Sequence, residues 1–295
     1  MKLAAFPKCY MDQLVIDHTM SLFDWIAMAS DLAVDGLELH NGFFASLEPA
    51  YLDQVRAELE RRNLEMPMLC YSPDFIKPDP TERQAEVERE KQMIRITAHL
   101  GGSFCRVLSG QRRRDVSREQ GVRWVVEAIR QLLDTAEENN VVMAMENHYK
   151  DNYWTHPEFA QKSDVFLEIV NQIDSPWFGV QFDPSNTIVA GEDPIELLEK
   201  VKHRVVTMHA SDRFVKPGHT VEELRQIEDV TGYAAILSHG VIGKGMNDYP
   251  RIFAILHGVG YDGWISIEDG INGLEEIRQS AFYLRSQMNS IGQRE

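Results

Sequence analysis

The feature that most constrains the fold is a regular alternation of short apolar runs with longer amphipathic segments. Within each apolar run, apolar residues do not alternate with polar ones. Between one run and the next lies a segment whose apolar residues recur at the spacing of a helix. Strands of this kind form parallel sheets that are covered by helices. We count eight units of strand and helix, and eight such units most simply close into a single (β/α)8 TIM barrel.

The longest connection in this pattern covers residues 210–246, between the seventh strand and the seventh helix. It carries a short stretch with helical spacing over residues 221–227. Connections of this length in compact domains are usually lids or binding loops. We therefore predict one TIM-barrel domain over residues 1–295 with a loop insertion at 210–246. Gly243 and Gly245 in the insertion are interpreted as turn residues, or else as a close approach of the backbone to a substrate.

Four strand-like runs end abruptly in a polar side chain that can bind a metal. They are VVMAME at Glu146, FGVQFD at Asp183, VVTMH at His209 and WISIE at Glu268. The C-terminal ends of barrel strands meet at one mouth, so these side chains are expected to converge. Three carboxylates and one imidazole suit Mn²⁺, which we favour, or Mg²⁺ or Co²⁺, better than a structural zinc site built on thiolates. Each residue alone could instead be a helix cap or the start of a loop.

His148 lies two residues after Glu146, so both side chains point to the same side of the sheet. An imidazole is a suitable general base because its ordinary pKa of about 6.5 is near working pH. The alternative is a hydrogen-bonded core histidine.

Composition excludes several classes of protein. A net charge of -16 disfavours nucleic acid as a partner, because phosphate binding needs a basic surface. No apolar run approaches the roughly 20 residues of a membrane helix, and the first residues lack a secretory signal, so no membrane partner is expected. Cys9, Cys70 and Cys105 have no metal spacing and are interpreted as reduced thiols, which predicts a cytoplasmic protein.

Five motifs together resemble the xylose isomerase-like family of metal-dependent sugar isomerases and epimerases. They are MENH at Glu146, QFD at Asp183, MHASD at His209, GKGMNDYPRIF before the last helix, and SIED at Glu268. The resemblance covers essentially the whole chain. It implies that the four strand-end residues bind the divalent metal, and that Glu146 and Glu268 serve as acid and base across a sugar carbon.

The chain departs from ketose 3-epimerases of that family at three positions. Those enzymes usually place a histidine, a second glutamate and an arginine where this chain has Asn186, Asn152 and Val215. The ENHYKD segment is instead similar to the larger subunit of C-glycoside deglycosidases. That resemblance implies a 3-oxo-glucoside as substrate, with His148 removing the proton on C2, and a small accessory subunit as partner. Association with further copies of the chain is the other expectation.

Further residues near the motif are predicted to bind substrate. His40 ends the second strand and is expected either to reach a sugar hydroxyl or to support another group of the site without touching the substrate. Asn186 is placed near the metal. Tyr149 and Trp154 could stack on a ring, or could instead hold the loop against a neighbouring subunit.

Three more residues are expected to support these groups without touching the substrate. Asp212 and Lys150 are candidate partners for His209 and Glu146, respectively. Arg106 is interpreted as part of a buried ion pair, with contact to a substrate oxyanion as the alternative.

These observations predict a metal enzyme that removes a proton beside a sugar carbonyl, with His148, Glu146 and Glu268 as catalytic residues. The leading reaction is elimination of the aglycone from a 3-oxo-glycoside. The alternative is isomerisation or epimerisation of a keto-sugar. A DNA-repair nuclease on the same barrel would need more histidine ligands and a basic groove, and a non-catalytic sugar-binding protein would bind without turnover.

Overall fold

The computed structural model describes residues 1–224 and 232–291. The strands in these ranges are β1 (Lys2–Ala5), β2 (Gly36–Leu37), β3 (Leu39–His40), β4 (Met68–Cys70), β5 (Phe104–Val107), β6 (Val142–Glu146), β7 (Phe178–Phe182), β8 (Val205–Ala210), β9 (Arg213–Val215), β10 (Leu237–His239) and β11 (Trp264–Ile267). The α-helices are α1 (Met11–Val15), α2 (Leu22–Ala29), α3 (Pro49–Arg61), α4 (Pro80–His99), α5 (Arg118–Glu138), α6 (Ser163–Val170), α7 (Pro184–Val189), α8 (Pro194–Val201), α9 (Val221–Leu224), α10 (Tyr249–Gly258) and α11 (Leu274–Ile291).

Nine of the strands form one parallel sheet in the order β2-β1-β11-β8-β7-β6-β5-β4-β3. The two edges of this sheet, β2 and β3, are consecutive in the chain and are separated only by Glu38. They therefore act as one interrupted strand that pairs with β1 on one side and with β4 on the other. With β2 and β3 counted as one strand, the sheet closes into an eight-stranded barrel, which confirms the predicted TIM-barrel fold.

The alternation of side chains along each strand decides what faces the barrel interior. On β6, Met143 and Met145 belong to the main core that packs the strands against the helices, whereas Ala144 lies in a small cluster inside the barrel. Because side chains on a strand alternate between its faces, Glu146 points inward with Ala144. The same rule applies at the interrupted strand, where Leu37 and Leu39 face the main core and Glu38 faces inward.

The insertion after β8 has secondary structure of its own. Strands β9 and β10 form a two-stranded antiparallel sheet, with Arg213 opposite His239. The predicted helical stretch over 221–227 is present as α9, and its remaining residues lie outside the described part of the chain. The sequence analysis missed two short helices, α1, which follows β1 after a 3-10 turn at Lys8–Tyr10, and α7, which directly follows β7. Among the described helices, none combines the length and the apolar character that crossing a membrane requires.

One buried carboxylate in α4 is expected to make stability depend on pH. Glu90 is fully buried, its Oε1 accepts a bond from Cys105 Sγ at 3.3 Å, and its Oε2 has no hydrogen-bond partner in the described part of the chain. Burial raises the pKa of Glu90 to about 8, above its ordinary value of 4.5. The folded protein therefore holds a proton that the unfolded chain has released, and the free energy of unfolding falls as pH rises from about 4.5 to about 8.

Replacing Glu90 with glutamine should remove this penalty because the amide stays neutral. We expect the variant to be more stable than wild type by roughly 1–3 kcal/mol at pH 8.5, and little different at pH 5. Urea unfolding at the two pH values measures both quantities. Glu127→Gln, at an exposed position of α5, is the control and should show no such difference. An equal effect of Glu90→Gln at both pH values would contradict the assignment.

Candidate metal and active site

The four predicted metal-binding side chains meet at the C-terminal mouth of the barrel. Glu146 and His209 lie at the ends of β6 and β8, and Asp183 and Glu268 directly follow β7 and β11. These strands are consecutive neighbours in the sheet. One ligand atom from each residue can be chosen so that all four lie within 4.8 Å of one another, and all four residues are buried. Their role as metal ligands stays a prediction, but the convergence on which it depends is observed.

The spacing around His209 Nδ1 fits a shared divalent cation. This nitrogen lies 3.1 Å from Glu146 Oε1 and 3.6 Å from Glu268 Oε2. Two ligands at roughly 2.1 Å from one ion are separated by roughly 3.0–3.4 Å when the angle between them is octahedral or tetrahedral, so the first distance fits this range and the second exceeds it slightly. Burial alone would lower the pKa of His209, but the surrounding carboxylates raise it well above its usual range. Negative charge therefore dominates this cavity, and the donor set suits a divalent ion that prefers oxygen ligands.

Asp183 is fixed by the start of α7. Its Oδ1 accepts bonds from the backbone N–H groups of Ser185 at 2.7 Å and Asn186 at 3.1 Å, and from Ser211 Oγ at 2.8 Å. The residue thus caps a helix, as the alternative interpretation proposed. The cap occupies one carboxylate oxygen and leaves Oδ2 for an ion. Burial, together with the charges of Glu268 and Glu146, raises the pKa of Asp183 to about 7.

Two basic side chains pair with the glutamates of the site. Arg106 Nη1 donates to Glu146 Oε2 at 3.0 Å, and Lys8 Nζ donates to Glu268 Oε1 at 2.9 Å. Although burial opposes ionisation, His209, His148 and Arg106 lower the pKa of Glu146 to about 2. Lys8 and His209 likewise hold the pKa of Glu268 below its usual range in spite of its burial. Both glutamates are therefore ionised, and each has one oxygen engaged by a cation.

His148 reaches the mouth of the barrel and is held there by a residue that the sequence analysis did not identify. Its Nδ1 lies 3.0 Å from Oε2 of Glu158, which is completely buried. The other oxygen of Glu158 accepts bonds from the backbone N–H and the hydroxyl of Ser109, both at 2.8 Å. The ring is therefore oriented by a fixed carboxylate, and Nε2 is left for a substrate.

The predicted substrate-binding residues fall into two groups. His40 lines the mouth cavity together with Lys8, Arg106, His148 and Glu268. His40 Nδ1 accepts a bond from the Gly42 N–H at 3.0 Å. Burial and the nearby positive charge of Arg106 lower the pKa of His40 to about 4. The ring is thus neutral, with its hydrogen on Nε2, where it can donate to a sugar oxygen.

The remaining three predicted residues contact protein groups. Asn186 Nδ2 donates to Glu146 Oε1 at 3.2 Å, so it supports a candidate ligand. Tyr149 packs against the buried cluster that contains Ile188 and Val189, as expected for the residue after the inward-facing His148. Trp154 is buried, and neither aromatic residue is among those that line the mouth cavity. Their contact with substrate stays a prediction.

The two predicted supporting contacts are not the ones observed. His209 contacts Glu38 in place of Asp212, and the basic partner of Glu146 is Arg106 in place of Lys150. Arg106 therefore forms the buried ion pair that was expected for it. A signal for Glu38 was available, because it lies two residues before the inward-facing His40 on the same strand. Glu158 and Lys8 lie in connections, where no periodicity indicates the direction of a side chain.

Asp212 instead organises the glycine-rich turn of the insertion. Its Oδ2 accepts the backbone N–H groups of Gly243 and Gly245, both at 2.9 Å. A Cβ atom at Gly245 would lie 2.3 Å from Asp212 Oδ1 and 2.5 Å from the Arg213 carbonyl oxygen. These glycines therefore permit the turn, which was the first of the two interpretations.

Replacing Gly245 with alanine should force this turn apart. We expect a loss of roughly 1–3 kcal/mol in the free energy of unfolding, because the contacted atoms are backbone and a tethered carboxylate. Thermal unfolding followed by circular dichroism measures the change. Gly258→Ala at the end of α10 is the control, since no atom lies within 4 Å of the added Cβ. Equal stability of both variants and wild type would contradict the role of Gly245.

A barrel that gathers three carboxylates and an imidazole at its strand ends is typical of metal-dependent barrel enzymes. The chain belongs to the xylose isomerase-like TIM barrel family, whose model matches residues 26–287.

Curated and solved relatives agree with this family. An inosose dehydratase of Clostridium botulinum (strain Alaska E43 / Type E3) is 24% identical over 250 residues, which cover 79% of this chain and 76% of the relative. The crystal structure of a D-tagatose 3-epimerase-like protein is similar with a TM-score of 0.76 at 19% identity, covering 100% of this chain and 99% of the other. An IOLI protein solved with a zinc atom has a TM-score of 0.73 at 16% identity, covering 99% and 98%. Relatives of the chain are thus sugar-modifying enzymes, and one of the similar structures holds a metal.

Proposed function

We propose that the protein is a divalent-metal enzyme that removes a proton beside the carbonyl of an oxidised sugar and expels a leaving group from the next carbon. The observation that carries this proposal is the position of His148. Its ring lines the same cavity as Glu268, and Glu158 orients the ring through Nδ1. The dehydratase activity in the name of the Clostridium relative supports an elimination, since loss of water beside a ketone follows the same chemistry.

Glu146, Asp183, His209 and Glu268 would hold the cation. When bound there, a divalent cation supplies a Lewis acid that draws electron density from the substrate carbonyl. The oxygen-rich donor set favours Mn²⁺, with Mg²⁺ or Co²⁺ as further candidates. Arg106 and Lys8 neutralise part of the carboxylate charge and fix the two glutamates in place.

The leading substrate is a 3-oxo-glycoside. In the reaction, His148 Nε2 takes the proton from C2, and the C–H electron pair forms the double bond between C1 and C2. The bond from C1 to the aglycone breaks, and the aglycone leaves with the electron pair of this bond. The aglycone then takes up a proton. The products are an unsaturated keto-sugar and the free aglycone. His40 is placed to donate to a sugar hydroxyl during these steps.

The mouth cavity has a volume of about 30 Å³, which is smaller than a sugar ring. Its rim includes Lys150, Asp151 and Asn152, from the loop that follows β6. We propose that this rim moves outward when a substrate enters, as is common for barrel enzymes with mobile loops.

The second candidate function is isomerisation or epimerisation of a keto-sugar. This function is favoured by the presence of two glutamates, Glu146 and Glu268, beside His209 Nδ1, because two carboxylates could exchange protons with the same substrate carbon. The ion pairs of both glutamates argue against isomerisation or epimerisation, since a carboxylate that is paired with a lysine or an arginine is a weak base.

Mass spectrometry separates these reactions in one assay. The protein is incubated with Mn²⁺ and a 3-oxo-glucoside that carries an aromatic aglycone. Release of the aglycone with formation of an unsaturated sugar supports the elimination. A product of unchanged mass but altered configuration supports the second candidate, and an unchanged substrate with every tested metal contradicts the elimination for this substrate class.

A further inference from the structure

We infer that Glu38 is a positioning residue that holds His209 with its hydrogen on Nε2, so that Nδ1 presents its lone pair to the metal. This inference rests on the proposed function, because it concerns the same cation. Glu38 lies at the break between β2 and β3, and β1 and β11 separate this interrupted strand from β8 in the barrel. It is completely buried and reaches across the interior to the far side of the imidazole ring.

The two nitrogens of His209 have different surroundings. Nδ1 faces two candidate ligands: its 3.1 Å distance to Glu146 Oε1 is within the separation expected for ligands of one ion, and its 3.6 Å distance to Glu268 Oε2 is slightly longer. Nε2 lies 2.6 Å from Glu38 Oε1. That distance is too short for two ligands of a common cation and is that of a strong hydrogen bond between an N–H group and a carboxylate.

The thiol of Cys70 completes this arrangement. Its Sγ donates to the same oxygen of Glu38 at 2.9 Å. Glu38, Cys70 and His209 have ligand atoms close enough to be considered a second metal site. The contacts of Glu38 Oε1 at 2.6 and 2.9 Å are instead those of an acceptor with two donors. A single metal on the Nδ1 side, supported by a carboxylate on the Nε2 side, accounts for all of these distances.

The energetic cost of burying the Glu38 carboxylate supports a specific role for this residue. Its Oε2 is buried and has no partner among the described residues, and a buried carboxylate without full compensation is destabilising. An apolar residue would fill this interior position at lower cost. A carboxylate is useful there because it fixes the imidazole tautomer and makes Nδ1 a stronger ligand, as carboxylate partners of metal-binding histidines do.

The test compares the Mn²⁺ affinity of the full chain in wild type and four variants by isothermal titration calorimetry. We expect Glu38→Gln and Glu38→Ala to raise the dissociation constant roughly 10–100-fold. Cys70→Ser, which keeps a donor to Glu38, should change it much less. Glu90→Gln is the matched control, since it removes another buried carboxylate that has no contact with His209, and it should leave the constant unchanged.

A second measurement on wild type does not depend on the folding of a variant. Nuclear magnetic resonance of the ¹⁵N-labelled histidines, with Zn²⁺ as a diamagnetic probe, should show His209 with hydrogen on Nε2 and metal on Nδ1. Hydrogen on Nδ1, or folded Glu38→Gln with the wild-type constant, would overturn this inference alone. Failure of wild type to bind either Mn²⁺ or Zn²⁺ would overturn the proposed function and this inference together.

Discussion

Replacing His148 with alanine is expected to lower the rate of elimination roughly 10²–10⁴-fold, while the affinity for Mn²⁺ stays within about threefold of wild type. The reason is the division of roles within the mouth. His148 belongs to the pair with Glu158, whereas the candidate ligands surround His209. Aglycone release by liquid chromatography measures the rate, and calorimetric titration measures the affinity.

Two further variants sharpen this test. Glu158→Gln keeps a side chain beside His148 Nδ1 but removes its charge, and it should give an intermediate rate with unchanged Mn²⁺ binding. His156→Ala removes an exposed histidine from the same loop and should behave as wild type. Turnover of His148→Ala at the wild-type rate would remove His148 from the mechanism, whereas a parallel loss of Mn²⁺ binding would make it part of the metal site.

Removal of the divalent cation is expected to abolish turnover and to lower thermal stability. Burial and the charges of Glu268 and Glu146 already raise the pKa of Asp183, which reports repulsion among the carboxylates of the site. A cation relieves this repulsion and binds only the folded chain. At 100 times its dissociation constant it should therefore stabilise the fold by about 2.7 kcal/mol, or roughly 5 °C. Differential scanning fluorimetry with and without a chelator measures the shift, and added Mn²⁺ should restore it.

Asp183→Asn provides the matched variant for this effect. It keeps the shape of the side chain and its cap of α7, but it removes one negative ligand. We expect at least a 10²-fold loss of Mn²⁺ affinity and no stabilisation by added Mn²⁺. The metal-free variant should be at least as stable as metal-free wild type, because fewer buried charges repel each other. Asp134→Asn, at an exposed position of α5, should respond as wild type. An identical Mn²⁺ response of Asp183→Asn would contradict the ligand assignment.

The barrel and the four strand-end residues were predictable because two independent patterns point to them. Non-alternating apolar runs indicate parallel strands, and the polar residue that ends each run must lie at the shared mouth. The spacing of two between Glu146 and His148 gave the direction of both side chains. The same spacing applied to Glu38 and His40 would have placed Glu38 inside the barrel. Glu38 lies in the middle of a strand and not at the mouth, so its position did not indicate a functional residue.

Other parts of the site depend on contacts between segments far apart in the chain. Glu158 becomes a partner of His148 only because the loop after β6 folds back over the end of β5, where Ser109 binds it. Lys8 reaches Glu268 because the barrel closes β1 against β11. Neither pairing has a local signal, since each requires the closed barrel before the two side chains can meet. The two-stranded sheet of β9 and β10 was missed for a related reason, because its short strands lie within a polar connection.

The interrupted strand at Glu38 has a consequence for the order of events during synthesis. Glu38 comes from the second strand of the barrel and Glu268 from the last one. The imidazole of His209, which contacts both, gains both neighbours only after the final strand has docked. A growing chain on the ribosome cannot yet present this set of groups to an ion. Under the proposed function, the cation would therefore bind only after the barrel has closed, and a chain with bound cation would be one that has completed its folding.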